Sequence, residues 1–184
     1  LVFIDLPMTR QEVRSVLQET LNRNNFENAI IRLTVTRGIN EPSFQIDPEV
    51  PPSLVVHARP HHPLPKAIYR NGVQITLLTL PAPTLPGVNQ GLKTCNYLSN
   101  ILVREISQRQ GSMEGIIVDP ILGVTEGATS NLFIVKQGVL KTPAVNNSVL
   151  EGITRRVVLE IARNHKIPIE KGLLTEEDVL TADE

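Results

Sequence analysis

Three prolines, Pro60, Pro63 and Pro65, fall within residues 59–66 and constrain the fold more than any other local feature of the chain. Proline lacks an amide hydrogen and locks φ, so this stretch can neither continue a helix nor sit in the middle of a sheet. It reads as a linker stiffened by proline. A domain boundary is expected there, with residues 1–64 on one side and 65–184 on the other. The 184 residues leave room for one small and one larger unit.

Ahead of the linker, Thr9-Arg10-Gln11-Glu12 has the form of a capping box. It opens a helix expected over residues 10–23, with Val13, Val16, Leu17, Thr20 and Leu21 on one face and Asn24-Asn25 at its end. Residues 29–36 are β-branched and partly alternating, which predicts a strand stopped by Gly38. Residues 41–52 are loop-like, and residues 53–58 predict a second strand pairing nearby. Beyond the linker, a strand over residues 73–80 leads into a proline-rich run at 81–86. Leu98, Ile101, Leu102 and Ile106 fall at helical spacing within residues 96–109. Residues 115–118 read as a short buried strand and 120–123 as a turn. Residues 131–135 and 139–140 predict a hairpin around Lys136-Gln137-Gly138. A helix is expected over residues 153–164, with Val157, Val158 and Ile161 inward. An edge strand at 167–170 tolerates Pro168, and Thr175-Glu176-Glu177-Asp178 opens a last helix.

Composition excludes several classes of partner. A net charge of −1, from 18 basic and 19 acidic residues, is not the footprint of a nucleic-acid binder. Aromatics are 3% of the chain and Trp is absent, so the core must be aliphatic. The single cysteine, Cys95, excludes an intramolecular disulfide framework and fits a reducing, cytoplasmic compartment. The longest uncharged run, residues 71–92, carries three prolines and three glycines and cannot be a membrane helix. The chain opens on Leu1-Val2-Phe3-Ile4 and closes on Thr181-Ala182-Asp183-Glu184, which reads as an internal fragment of a longer protein.

Three short stretches carry chemistry. In Gly91-Leu92-Lys93-Thr94-Cys95-Asn96-Tyr97-Leu98-Ser99-Asn100, one lysine sits where an apolar run meets a helix. Such a lysine either snorkels or, if burial disfavours its ammonium, attacks a carbonyl as a Schiff-base amine. In Val124-Thr125-Glu126-Gly127-Ala128-Thr129-Ser130-Asn131-Leu132-Phe133, Glu126 precedes five small or polar residues between apolar strands. It is either a turn acid or a carboxylate aimed into a site that a ligand approaches closely. Leu150-Glu151-Gly152-Ile153-Thr154-Arg155 enters a helix. Thr154 could cap it, or the helix terminus could hold a phosphate. An amine, a carboxylate and a phosphate cradle are together what pyridoxal phosphate requires.

On these motifs the chain resembles the fold-type IV pyridoxal-phosphate enzymes: branched-chain aminotransferases, D-amino acid aminotransferases and aminodeoxychorismate lyases. The resemblance covers nearly the whole chain. It implies a two-domain α+β or α/β fold, with a truncated small N-terminal α/β domain and a larger, truncated C-terminal domain of barrel-like mixed sheet with helices. It implies Lys93 as the Schiff-base lysine and proton shuttle, and Glu126 as partner of the pyridine nitrogen. Tyr97 would bond the ring's phenolic oxygen, Leu150 would pack on the ring face, and Gly152, Ile153 and Thr154 would line the phosphate. Asn131 matches a family position near the glutamate. A phosphate-binding arginine before Leu1 and a threonine beyond Glu184 belong to the family pattern and lie outside this chain. Where D-amino acid aminotransferases carry an arginine and a histidine, this chain has Ile39-Asn40-Glu41-Pro42-Ser43-Phe44. The activity implied is amino transfer from an amino acid, of the L type and with branched-chain donors included, to a 2-oxo acid, in a homodimer. Elimination of aminodeoxychorismate to 4-aminobenzoate and pyruvate is the alternative, and a non-catalytic cofactor-binding or dimerising member the second.

Other residues are expected to be structural. His57, His61 and His62 lie at a proline-rich linker without cysteine or convincing carboxylate partners, so no metal is expected. Cys95 reads as a packing residue, Arg155-Arg156 as a solvated helix face, and His165 as a contact at a helix C-terminus.

Overall fold

The structure is a computed structural model that describes residues 4–6, 8–41, 45–81, 93–145 and 149–184. The chain divides into two compact units, Leu1–Lys66 and Ala67–Glu184.

The first unit holds α1 (Arg10–Asn24), β1 (Ala29–Thr36) and β2 (Ser53–Pro60). Thr9 caps α1 in a reciprocal box: its hydroxyl accepts from the Glu12 amide at 3.2 Å, while its own amide donates to Glu12 Oε2 at 2.7 Å. Asn25 ends the helix in the left-handed region at φ 52°. The face expected from periodicity, Val13, Val16, Leu17, Thr20 and Leu21, is the half-buried one. β1 and β2 pair antiparallel from Ala29 opposite Pro60 to Thr36 opposite Ser53. The second strand therefore reaches Pro60, two residues into the expected linker, because a strand can end on a residue that has no amide to donate. Helix α2 (Lys66–Asn71) follows after residues 61–65, so the proline-rich linker is shorter than its composition suggests.

The second unit is built on two mixed three-stranded sheets. One has the order β3 (Ile75–Thr79), β4 (Glu114–Asp119), β5 (Gly123–Gly127). β4 runs parallel to β3 and antiparallel to β5. It is buried on both faces and alternates between them. Ile116 and Val118 join Val124, Ile134 and Leu174 in one cluster, while Ile117 joins Val103 and Ala128 in another. Val103 lies on α3 (Leu98–Arg109), which packs on β4. The approach is close because residue 115 is glycine: a β-carbon there would collide with the Ser107 hydroxyl and the Val103 side chain. Ser107 is fully buried, and its hydroxyl donates to the Val103 carbonyl at 2.9 Å. The stripe Leu98, Ile101, Leu102, Ile106 faces outward, with Leu98 65% exposed.

The other sheet has the order β6 (Ile134–Lys136), β7 (Val139–Pro143), β8 (Ile169–Gly172). Gln137 and Gly138, at φ 52° and 76°, turn β6 into β7. Two adjacent residues at positive φ are what a tight hairpin with right-twisted strands needs. Lys136 thus lies in the strand, paired with Val139, and not in the turn. From β7 the chain crosses through α4 (Ile153–Asn164) to β8, the parallel edge strand that Pro168 precedes. Thr175 caps α5 (Glu176–Leu180) in a second box with Asp178. Bonds from the Thr175 amide and hydroxyl, with Lys136 beside it, hold the Asp178 carboxyl down to about 2.

Helix α4 corrects two expectations. Its buried face is Arg155, Leu159 and Ala162; Val157 and Ile161 are exposed, and Val158 is half-buried. Arg155 is only 2% exposed and is no part of a solvated face, whereas Arg156 is exposed. The guanidinium Nη2 of Arg155 donates to the Pro143 carbonyl at the end of β7, at 2.8 Å. That bond ties the first turn of α4 to the sheet. Arg155→Ala is expected to cost about 2–4 kcal/mol, through a void and an unpaired buried carbonyl. Arg156→Ala should stay within about 0.5 kcal/mol. Urea denaturation of the two variants measures the difference.

Candidate active site

The three sequence motifs meet in the second unit, and Glu126 is the residue they share. It lies on β5 rather than in a loop, and at an irregular place. Ile116 pairs with Gly127 and Val118 with Val124, so β5 accommodates one residue more than β4 between those pairs. Such a bulge bends a strand and re-aims a side chain. Here Val124 and Thr125 are both buried, Thr125 donating its hydroxyl to the Ile117 carbonyl at 3.1 Å, while Glu126 is half-buried.

Two donors converge on one oxygen of that carboxylate. Glu126 Oε2 accepts from the Leu150 amide at 2.9 Å and from Asn131 Nδ2 at 3.2 Å. Burial raises the pKa of Glu126 above the ordinary carboxylate value; the Leu150 amide, the Lys93 ammonium and the Arg155 guanidinium pull against it. Burial likewise lowers the pKa of Arg155, opposed by the charges of Glu151 and Glu126. Glu126 is therefore close enough to feel both Lys93 and Arg155.

The lysine motif sits at the start of α3, its Gly91 and Leu92 outside the described residues. Lys93 is exposed, which corrects the expectation that burial would free its amine. Its Nζ lies 5.6 Å from the centre of the Tyr97 ring, within the range of a cation–π contact. Tyr97 is the half-buried N-cap residue of α3. Cys95 is exposed, so it does not serve as the packing residue expected. Two residues further into the helix than Leu98, Asn100 donates its side-chain amide to the Ala128 carbonyl at 2.8 Å. That bond joins the lysine motif to the glutamate motif. It spans 28 residues and carries no local signature.

The glutamate motif is held by a second acid. Glu114 Oε2 accepts from the Thr129 hydroxyl at 2.6 Å, the Thr129 amide at 3.3 Å and the Ser130 hydroxyl at 3.2 Å. The small polar residues after Glu126 thus supply donors that shape the loop.

The third motif begins α4. Its N-cap is Gly152, at φ −62° and ψ 144°, with no side-chain cap. Thr154 is exposed inside the first turn and does not cap the helix. Leu150 is half-buried, its carbonyl accepting from the Gly152 amide at 2.8 Å, and Ile153 is 73% exposed. The first turn contains no acidic residue and two arginines, Arg155 and Arg156. Cations at the positive end of a helix dipole are unfavourable by roughly 0.3–1 kcal/mol each unless an anion is present. A β-carbon at Gly152 would collide with Oδ1 of Asn131, so the same glycine that leaves the helix uncapped also makes room for its neighbour.

The expected histidine readings have no counterpart at this site. His57, His61 and His62 are exposed in the other unit, and among the described residues no group of three or more His, Cys, Asp or Glu could hold a metal ion. No helix among them is long and apolar enough to cross a membrane.

A putative branched-chain-amino-acid aminotransferase of Methanocaldococcus jannaschii is 38% identical over 183 residues, covering 98% of this chain and 62% of that protein. A D-alanine aminotransferase of Listeria monocytogenes is 31% identical over 182 residues, covering 97% of this chain and 61% of that protein. The fold matches the crystal structure of the Escherichia coli branched-chain amino acid aminotransferase with a TM-score of 0.90 at 27% identity, over 98% of this chain and 60% of the other. The chain thus spans about three fifths of the length of the relatives it matches. Residues 1–184 all match the model of one family, and the chain belongs to it: amino-transferase class IV.

Proposed function

We propose that this chain carries the cofactor-binding part of a pyridoxal-phosphate-dependent aminotransferase, which moves an amino group from an amino acid to a 2-oxo acid. The observation that carries the reading is the meeting at Glu126 of three motifs far apart in sequence. Its carboxylate is bonded by the Leu150 amide that precedes α4 and lies within the field of Lys93. In the same reading, residues 1–64 are the remainder of a small N-terminal domain and 65–184 the cofactor-binding domain.

The residues present fit the cofactor. An uncapped helix terminus with glycine at its cap and no acid in its first turn suits a phosphate, held by the backbone at Gly152 and Ile153 and the hydroxyl of Thr154. Leu150 would lie against the ring and Tyr97 would bond its phenolic oxygen. Pyridoxal phosphate supplies, when bound, a carbonyl for an amine and a ring that draws electrons from the substrate Cα. Lys93 Nζ would be the amine that attaches it, and would afterwards serve as the base for the Cα proton. Glu126 keeps a proton on the ring nitrogen, and its partial burial strengthens that interaction by excluding water.

The donors proposed are L-amino acids, and the name of the 38%-identical relative supports branched-chain ones among them. The stretch expected to separate D- from L-specific enzymes runs into residues 42–44, outside the described residues. A homodimer in the cytoplasm belongs to the same proposal. The outward apolar stripe of α3 supports assembly, and an exposed lone thiol at Cys95 suits a reducing compartment.

Incubating the intact protein with L- or D-amino donors and 2-oxoglutarate should yield glutamate; aminodeoxychorismate turned instead into pyruvate and 4-aminobenzoate would displace the reading. Lys93→Ala should abolish the visible absorbance of bound cofactor, and unchanged colour would remove Lys93 from its role. Without cofactor, the raised pKa of Glu126 makes the folded chain bind its proton more tightly than the unfolded chain does. Stability contributed by this group therefore falls as pH rises from the ordinary carboxylate range through the folded pKa. Glu126→Gln should accordingly melt higher than wild type at neutral pH, the gain shrinking on acidification. Parallel melting curves across that range would contradict the buried charge.

A further inference from the structure

Asn131 is a second residue, beside Glu126, through which the glutamate motif and the phosphate motif touch. Its Nδ2 donates to Glu126 Oε2 at 3.2 Å and to the Leu150 carbonyl at 3.0 Å. The carbonyl can only accept, so the amide orientation follows from chemistry: both hydrogens of Nδ2 are engaged and Oδ1 points away from them. Oδ1 lies against the backbone of Gly152, where a β-carbon would strike it. One side chain thus meets the carboxylate, the turn before α4 and the cap glycine of α4.

Its position is set from both sides. Glu114 fixes Thr129 and Ser130 immediately before it, and Ser130 accepts at its carbonyl from the Gly127 amide at 2.7 Å. Immediately after it, the fully buried Thr142 donates its hydroxyl to the Leu132 carbonyl at 2.8 Å. With its neighbours already anchored, the side chain loses little further freedom in making its bonds. An amide also suits the task better than a cation would. Lys or Arg at 131 would pair with the carboxylate and mask its charge, whereas a neutral donor fixes the group and leaves the charge in place.

We propose that Asn131 is the positioning residue of the site. It clamps Glu126 by Oε2 against the Leu150–Gly152 turn, so that Oε1 is the oxygen offered to the ring nitrogen of pyridoxal phosphate. The second half rests on the reading of Glu126 given under the proposed function. The clamp itself does not, because it is made by this chain's own atoms. Asn131 also couples the two ends of the cofactor site, since displacing Oδ1 from Gly152 must move Nδ2 on Glu126.

The test uses the intact protein and two readouts: the titration of the Glu126 carboxyl followed by carbon NMR without cofactor, and the dissociation constant for pyridoxal phosphate. Asn131→Asp removes the donor and sets a second carboxylate beside Oε2. Glu126 should then titrate at higher pH than in wild type, and cofactor affinity should fall roughly ten- to a hundredfold, the range of one hydrogen bond to a charged group. Asn131→Ala should move both readouts the same way by less. In a Glu126→Gln background, Asn131→Asp should cost affinity much less, because the repelled charge is gone. Gly152→Ala, which pushes Oδ1 aside while keeping the amide, should also raise the Glu126 titration and serves if the Asn131 variants do not fold. A Glu126 titration unmoved in the folded variants overturns the clamp, even if melting temperature drops. A wild-type protein that binds no pyridoxal phosphate overturns the cofactor reading and with it the role of Oε1, while the cofactor-free titration still decides whether Asn131 holds the carboxylate.

Discussion

A half-buried carboxylate, fixed by donors that do not neutralise it, is the constraint on which the rest of the site depends. Glu126 is partly withdrawn from water, and its charge is opposed by desolvation and supported by a backbone amide, a lysine and an arginine. None of these supports stands alone. The amide belongs to Leu150, which is in place only if α4 starts where it does. The start of α4 is tied down by Arg155, whose guanidinium bonds the end of β7. The bulge that aims Glu126 is in turn set by the register of β5 against β4. Displacing any one of these elements would remove part of the support of a partly desolvated charge.

Local signals were the legible ones. The capping box at Thr9, the start of the last helix at Thr175, the bounds of β1 and α4 and the order of the three motifs can be read from neighbouring residues; the edge strand expected over 167–170 begins only after Pro168, at Ile169. What could not be read falls into two classes. In α3 and α4 the apolar periodicity is real but describes the outer face, because each inner face includes a polar residue. Ser107 is buried because it bonds its own helix and meets a glycine, and Arg155 because it reaches a carbonyl at a strand end. Hydropathy counts both as surface. The second class is long-range. The bulge at Glu126 arises from pairing, and the bonds of Asn100 to Ala128 and Asn131 to Leu150 span 28 and 19 residues. The motifs announce themselves singly; the bonds that join them do not.

Gly152 shows why one motif was legible all the same. A serine, threonine or aspartate at the N-cap would bond the first amides of α4 and stabilise the helix more than glycine does, by about a few tenths of a kcal/mol. Such a side chain would also occupy the donors an anion requires. The same position faces Asn131 Oδ1, which leaves no space for a β-carbon. Two demands, one from the proposed phosphate and one from the proposed clamp on Glu126, would both favour glycine at this single place. The small stabilisation forgone at the cap is outweighed if an anion sits there, since the dipole and the two arginines of the first turn then act on it favourably. Helix α4 thus begins without a side-chain cap, and its hold on the sheet comes from Arg155.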